Sequence, residues 1–232
     1  MEEKGLETFF ESFITKDTIF YDKKALQSNY TPESIPHREE QTKQIANILG
    51  SALKGDKPSN IFIYGKTGTG KTLTVKYTTQ KLTEVASKEK VPIKIVYVNC
   101  KLKRSADTEY RLIAQLATEL GTSIPATGLP TEEVYKTFLK VLNKNKHVYI
   151  FVLDEVDQLI NKIGDNVLYN LTRINEEISS QISIIGISND VLFIDNLDPR
   201  VRSSLSEEEI IFPPYNALQI QSILRQRAEL AF

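Results

Sequence analysis

Apolar residues follow two rhythms along this chain. Continuous apolar runs at Ile61 to Tyr64, Ile93 to Asn99, Val148 to Leu153 and Ile182 to Ile187, with a shorter stretch at Glu209 to Phe212, predict buried strands. Between them the apolar positions return at helical spacing. Val134, Tyr135, Phe138, Leu139 and Leu142 form one stripe, and Val167, Leu168, Leu171, Ile174 and Ile178 form another. Helices are expected over His37 to Leu53, Lys71 to Ala86, Thr108 to Leu120, Thr131 to Leu142 and Asp165 to Ile178, with Thr131 as a cap before Glu132 and Glu133. Strands alternating with helices predict an α/β fold: a mostly parallel five-stranded sheet covered on both faces. Asn216 with Gln219 has the form of a capping box for a last helix carrying Ala217, Ile220, Leu224 and Ala228, set off by Pro213-Pro214. That helix begins after the sheet is complete, so 1–215 is expected as the main domain and 216–232 as the start of a second unit. Phe9, Phe10, Phe13 and Ile14 cluster in an N-terminal arm of about 1–35, which runs into the proline-punctuated stretch Thr31-Pro32-Glu33-Ser34-Ile35-Pro36.

Composition narrows the class. A chain of 232 residues, 41% hydrophobic and 25% charged, has the profile of a globular protein with one large α/β domain. No run is long enough for a membrane span, the acidic start Met1-Glu2-Glu3 is unlike a signal peptide, and a cytoplasmic location with no membrane partner is expected. Cys100 ends an apolar strand with no second cysteine to bridge to, which suits a reducing compartment and a structural role. His37 and His147 are too scattered to form a metal cluster, so any metal should arrive with a ligand. A net charge of -1 gives no global footprint for nucleic acid. The short basic groupings Lys101-Leu102-Lys103-Arg104 and Asn143-Lys144-Asn145-Lys146-His147 read as solvated loops.

The chemistry starts after the first strand, where Gly65-Lys66-Thr67-Gly68-Thr69-Gly70-Lys71-Thr72 has the form G-x-x-x-x-G-K-T and leads through Leu73 into a helix. In such a P-loop the glycines let backbone amides converge on phosphates, the lysine reaches the β/γ-phosphates, and the Ser/Thr hydroxyl ligates magnesium. Lys71 and Thr72 take those two roles, and the expected ligand is a nucleoside triphosphate with Mg2+. A P-loop calls for an acidic element at the end of another strand, and Asp154-Glu155 follows Val148 to Leu153. Neighbouring residues at a strand end point in different directions and can divide two tasks. Asp154 is assigned to the magnesium shell and Glu155 to polarising the attacking water; Asp157 reads as a solvated loop or helix-cap residue. Asn189, ending another strand beside Asp190, is either a turn residue or a group that holds the water or touches the γ-phosphate.

These motifs, followed by Leu197-Asp198-Pro199-Arg200-Val201-Arg202-Ser203-Ser204-Leu205, resemble the AAA+ ATPases of the initiator clade. More narrowly, from about Tyr30 onward the chain resembles the archaeal origin-recognition and cell-division-cycle initiators. The resemblance implies a three-layer P-loop NTPase with the start of a helical lid. It implies that Pro36, His37 and Arg38 pack near the adenine of ATP or ADP, with Tyr215 also at the nucleotide, and that Asn189 is the sensor 1 residue. It also implies that an arginine of the Asp198 to Leu205 segment reaches the nucleotide of a neighbouring subunit, Arg200 first and Arg202 second.

Gly121 to Thr131 is similar to the family's inserted region that touches origin DNA. There Ile124, Pro125 and Leu129 either form an apolar wedge toward a groove or pack the loop on its neighbouring helix, with Thr127 and Gly128 offering phosphate contacts. Implied partners are origin double-stranded DNA, other initiator subunits and the replicative helicase. Family members continue into a sensor 2 arginine and a winged-helix DNA reader, which the sequence up to Phe232 is expected to lack. The function so implied is a slow ATPase whose nucleotide state switches origin binding or helicase loading. The alternatives are a DNA-independent regulatory ATPase controlling protein assembly, and a small-molecule kinase sharing only the P-loop, which the Glu155 and arginine motifs argue against.

Overall fold

The computed structural model describes residues 3–15, 19–27, 30, 32, 34–101, 108–125, 127–144 and 146–232. Met1, Glu2, Thr31, Glu33, the Leu102-Lys103-Arg104 part of the first basic grouping and Asn145 of the second lie outside them.

The strands are β1 (Asn60–Tyr64), β2 (Ile93–Asn99), β3 (Val148–Asp154), β4 (Gln181–Ser188) and β5 (Glu207–Ile211). They form one sheet in the order β2-β3-β4-β1-β5, with every ladder parallel. The helices are α1 (Glu3–Thr15), α2 (Glu39–Leu49), α3 (Lys71–Lys88), α4 (Glu109–Glu119), α5 (Thr131–Asn143), α6 (Val156–Ile163), α7 (Asn166–Arg173), α8 (Pro199–Leu205) and α9 (Ala217–Ala231).

The sequence explains the layering. β1 and β3 are buried along their whole length because parallel strands in mid-sheet are covered on both faces. Alternate residues of β1 point to opposite sides: Ile61 and Ile63 pack with Ile45 and Leu49 of α2 and Val75 of α3, whereas Phe62 and Tyr64 join Leu112, Phe138, Leu168 and Leu205 on the other face. Edge strand β2 is only partly buried and carries an exposed Lys94. Phe62 lies opposite Gly186 of β4, where the ring fills the space a Cβ would need.

Three details depart from the sequence expectations. α6 and α8 are helices where no element had been assigned, and α7 is shorter than the predicted helix, passing into a 3-10 turn at Ile174–Glu176. Thr131 is the first residue of α5 and not its cap, because Pro130 occupies that position and makes no side-chain cap bond. The chain also forms two compact units, 37–214 and a smaller one of 1–36 with 215–232, whereas the N-terminal arm had been expected with the main domain. In the smaller unit the Tyr21 amide donates to the Ala231 carbonyl at 2.7 Å, Phe20 packs on Phe232, and Asn216 and Gln219 complete the expected capping box of α9.

Candidate nucleotide-binding site

In a parallel sheet all carboxyl ends open on one edge, so the loops after β1, β3 and β4 must meet there. Register fixes how closely. Tyr64 pairs with Ser188, and Asp154 pairs with Ile187, so the P-loop, the Asp154-Glu155 pair and Asn189 leave the sheet at nearly one height. A cavity of about 290 Å³ results, lined by Thr67, Gly68, Thr69, Gly70, Lys71, Thr72, Leu73, Asp154, Glu155 and Asn189.

The P-loop starts at Gly65, with φ 155°, where an added Cβ would stand 2.5 Å from the Phe212 carbonyl oxygen; only glycine tolerates that approach. Its far end, Gly70, is left-handed at φ 88° and caps α3, so the first amides of that helix face the cavity. The Lys71 ammonium is buried and donates to the carbonyls of Gly65 (2.6 Å) and Lys66 (2.9 Å) and to Asn189 Oδ1 (2.9 Å). Burial lowers its pKa, and the nearby Asp154, Asp157 and Glu155 carboxylates partly offset that.

Asp154 is buried and accepts the Thr72 hydroxyl at 3.2 Å on Oδ1 and 3.0 Å on Oδ2, the Glu155 amide at 3.1 Å on Oδ1, and the Tyr97 hydroxyl on Oδ2. Burial, with the Asp154 hydrogen bond and charge, raises the Tyr97 pKa far above its usual range, so the phenol stays a donor. Thr72 and Asp154 offer a hydroxyl and a carboxylate, hard oxygen ligands of the type magnesium takes alongside phosphate oxygens, and the donor set fits that ion. Glu155 holds left-handed backbone angles (φ 56°, ψ 47°) and caps α6. Such strain at a non-glycine residue is characteristic of functional positions. Its Oε2 lies 3.5 Å from Lys101 Nζ.

Other expected site residues lie elsewhere. Arg38 is 2% exposed and its guanidinium donates to the carbonyls of Thr69 (2.9 Å) and Pro213 (2.5 Å), so it ties the P-loop to the segment after β5 and is not among the residues lining the cavity. His37 sits at φ 62° and donates its amide to Glu39 Oε1 at 3.1 Å. Pro36 and Tyr215 belong to the smaller unit. Arg200 is exposed and paired with Asp198 at 3.1 Å, and Arg202 is paired with Asp195 at 3.1 Å. Arg200 lines a second cavity, of about 830 Å³, together with Lys57, Arg173 and the hydroxyl residues Ser203 and Ser204. Ile124 is a correction: it is 8% exposed and packs in the core, so it cannot serve as a wedge, whereas Pro125, Thr127, Gly128 and Leu129 are exposed.

Asp157 is a second correction. It is buried in the first turn of α6 and accepts the Ser188 hydroxyl at 3.2 Å, which ties α6 to the strand that presents Asn189. Sequence reasoning gave Tyr97 and Lys101 no place at the site. The available signal was positional, because both flank the end of β2, where Asn99 pairs in register with Asp154.

This sheet order, with a P-loop after β1 and paired carboxylates after β3, defines a P-loop NTPase of the AAA+ type. The AAA domain family matches residues 54–199, and the chain belongs to it. Among individual proteins, it is 48% identical over 237 residues to the ORC1-type DNA replication protein of Thermococcus onnurineus, a match that covers all of this chain and 56% of that protein. The solved structure of the Aeropyrum pernix ORC1 protein in complex with DNA superposes with a TM-score of 0.85 at 42% identity, covering 94% of this chain and 56% of the other. The Aeropyrum pernix ORC2 protein, in its ADPNP-ADP complexes, gives 0.78 at 28% identity, covering 91% and 57%. The chain thus spans a little over half the length of these relatives. No helix among the described residues is long and apolar enough to cross a membrane.

Proposed function

We propose that this chain is the ATP-binding, slowly hydrolysing core of a DNA replication initiator, in which the nucleotide acts as a switch. The observation that carries the reading is the meeting of three strand ends in one cavity, with Lys71 touching Asn189 and Thr72 touching Asp154. The P-loop amides and the Lys71 ammonium grip the phosphates. Thr72 and Asp154 would hold magnesium, which would supply positive charge to the phosphates. Glu155 accepts the proton of the attacking water, and Asn189 orients that water or the γ-phosphate.

Arg200 is 81% exposed at its side chain and lies outside this cavity, so it serves the nucleotide of a neighbouring subunit, with Arg202 as the second choice. The exposed positions of the loop, Pro125, Thr127, Gly128 and Leu129, contribute minor contacts to origin DNA. Other initiator subunits and the replicative helicase are the proposed partners. Support for the initiator role comes from the names of the relatives and from the DNA complex of the Aeropyrum pernix ORC1 protein.

Two measurements test the reading. Equilibrium titration with a fluorescent ATP analogue and magnesium should saturate the wild type, whereas Lys71→Ala should not saturate over the same concentration range. Fluorescence anisotropy with duplex origin DNA should then respond to ATP against ADP. An ATP-saturable protein that is indifferent to DNA but assembles with protein partners would favour the DNA-independent regulatory ATPase.

A further inference from the structure

We propose that Tyr97 is a positioning residue for the magnesium-binding carboxylate: its hydroxyl donates to Asp154 Oδ2 and fixes the rotamer in which Asp154 faces Thr72. The inference rests on the nucleotide-site reading above and deepens it.

Asp154 needs such a fixed donor. Its Oδ1 is held by the Glu155 amide at 3.1 Å, a group from its own strand end. The Thr72 hydroxyl bonds both oxygens, but Thr72 is the fellow ligand and turns its lone pairs to the same ion, so it gives no independent support. That leaves Oδ2 to Tyr97, which approaches from the neighbouring strand. Two donors on two oxygens from different elements define the carboxylate plane, whereas one donor leaves it free to rotate. Groups that orient a metal ligand in this way are commonly worth an order of magnitude or more in metal affinity.

Tyr97 is itself held in place. β2 pairs with β3 so that Asn99 lies opposite Asp154, and Tyr97, two residues earlier, points to the same face. The Lys76 ammonium lies 4.6 Å from the centre of its ring. Lys76 is one turn beyond Thr72 on α3, so a single phenol joins the helix that carries one ligand to the carboxylate that is the other. The aromatic ring alone would satisfy the Lys76 contact; the hydroxyl is what the carboxylate requires.

The test compares wild type, Tyr97→Phe and Lys76→Met by titrating magnesium chloride into protein with a fluorescent ATP analogue, alongside the same titration in EDTA and a melting curve. Tyr97→Phe should melt within about 2 °C of wild type, bind the analogue equally well in EDTA, and need about tenfold more magnesium for half-maximal binding. Lys76→Met keeps the hydroxyl and should shift the magnesium midpoint less than Tyr97→Phe. An unchanged midpoint in Tyr97→Phe overturns the proposal while leaving the nucleotide site intact. So does an equal loss of affinity with and without magnesium, which would mark a structural role. A wild type showing no magnesium-dependent binding overturns both this inference and the function proposed above.

Discussion

Lys71 shows how burial and chemistry are balanced in one side chain. Its ammonium is almost completely covered, and that burial lowers its pKa, while loop carbonyls, an amide oxygen and three nearby carboxylates act in the opposite sense and favour the charged form. Lys71→Ala should weaken ATP by about two orders of magnitude, the scale of a lost charge-assisted hydrogen bond, measured by equilibrium titration. Cys100 makes the opposite case. It is fully buried, and burial, with Asp154 nearby, pushes its thiol up to about 12. Only the thiolate attacks disulfide reagents, so at pH 8 the native protein should resist such a reagent and react rapidly once unfolded in guanidinium.

The residues that line the cavity at the strand ends were legible in the sequence because they lie in short motifs or directly at the ends of apolar runs. Tyr97 and Asp157 were not, because each reaches the site across the sheet and nothing in their local sequence marks it. Ile124 stayed open between wedge and packing for a related reason: an apolar residue in a polar loop looks the same whether it turns inward or out.

Elements follow from pattern more faithfully than their roles do. The inner strands β1, β3 and β4 appeared where apolar runs predicted them, since a doubly covered strand must be apolar nearly throughout, whereas edge strand β5 begins two residues earlier than predicted, with three glutamates. α6 was not assigned although Val156, Leu159, Ile160 and Ile163 recur at helical spacing, because it is only eight residues long and follows the strand end directly. α8 is too short for a periodic signal, and its evidence lay in its ends, Asp198 accepting the Arg200 amide at 2.8 Å and Pro199 in the first turn.

Besides the apolar packing of Val201 and Leu205, Asn60 ties the end of α8 to the sheet. Its side chain donates to the Leu205 carbonyl at 2.5 Å and accepts the Ile184 amide at 2.9 Å. Asn60→Ala leaves both backbone groups buried without a partner and should cost about 2–4 kcal/mol in urea unfolding. Gly186→Ala presses a methyl group into the Phe62 ring and should cost about 1–3 kcal/mol by the same measurement.

At the scale of the whole molecule, the organisation legible from sequence was the α/β sheet and its site edge. The grouping of the N-terminal arm with α9 was not, because it depends on contacts between the two ends of the sequence, such as Tyr21 with Ala231 and Phe20 with Phe232. The proposed role of Arg200 belongs to this scale too. Arg200→Ala should leave the turnover of a dilute monomer unchanged and reduce it only as subunits assemble, read as the loss of a rise in specific ATPase activity with protein concentration. A loss in the monomer would place the arginine in its own site.

The central claim is that ATP is bound between the P-loop and the Asp154-Glu155 pair and hydrolysed with Glu155 as base. Single-turnover hydrolysis of prebound ATP by wild type and Glu155→Gln tests it most directly. The account predicts that both proteins retain ATP through a desalting column, and that the variant converts it to ADP at least about 100-fold more slowly. Equal rates in the two proteins, or no retained nucleotide in either, would contradict it.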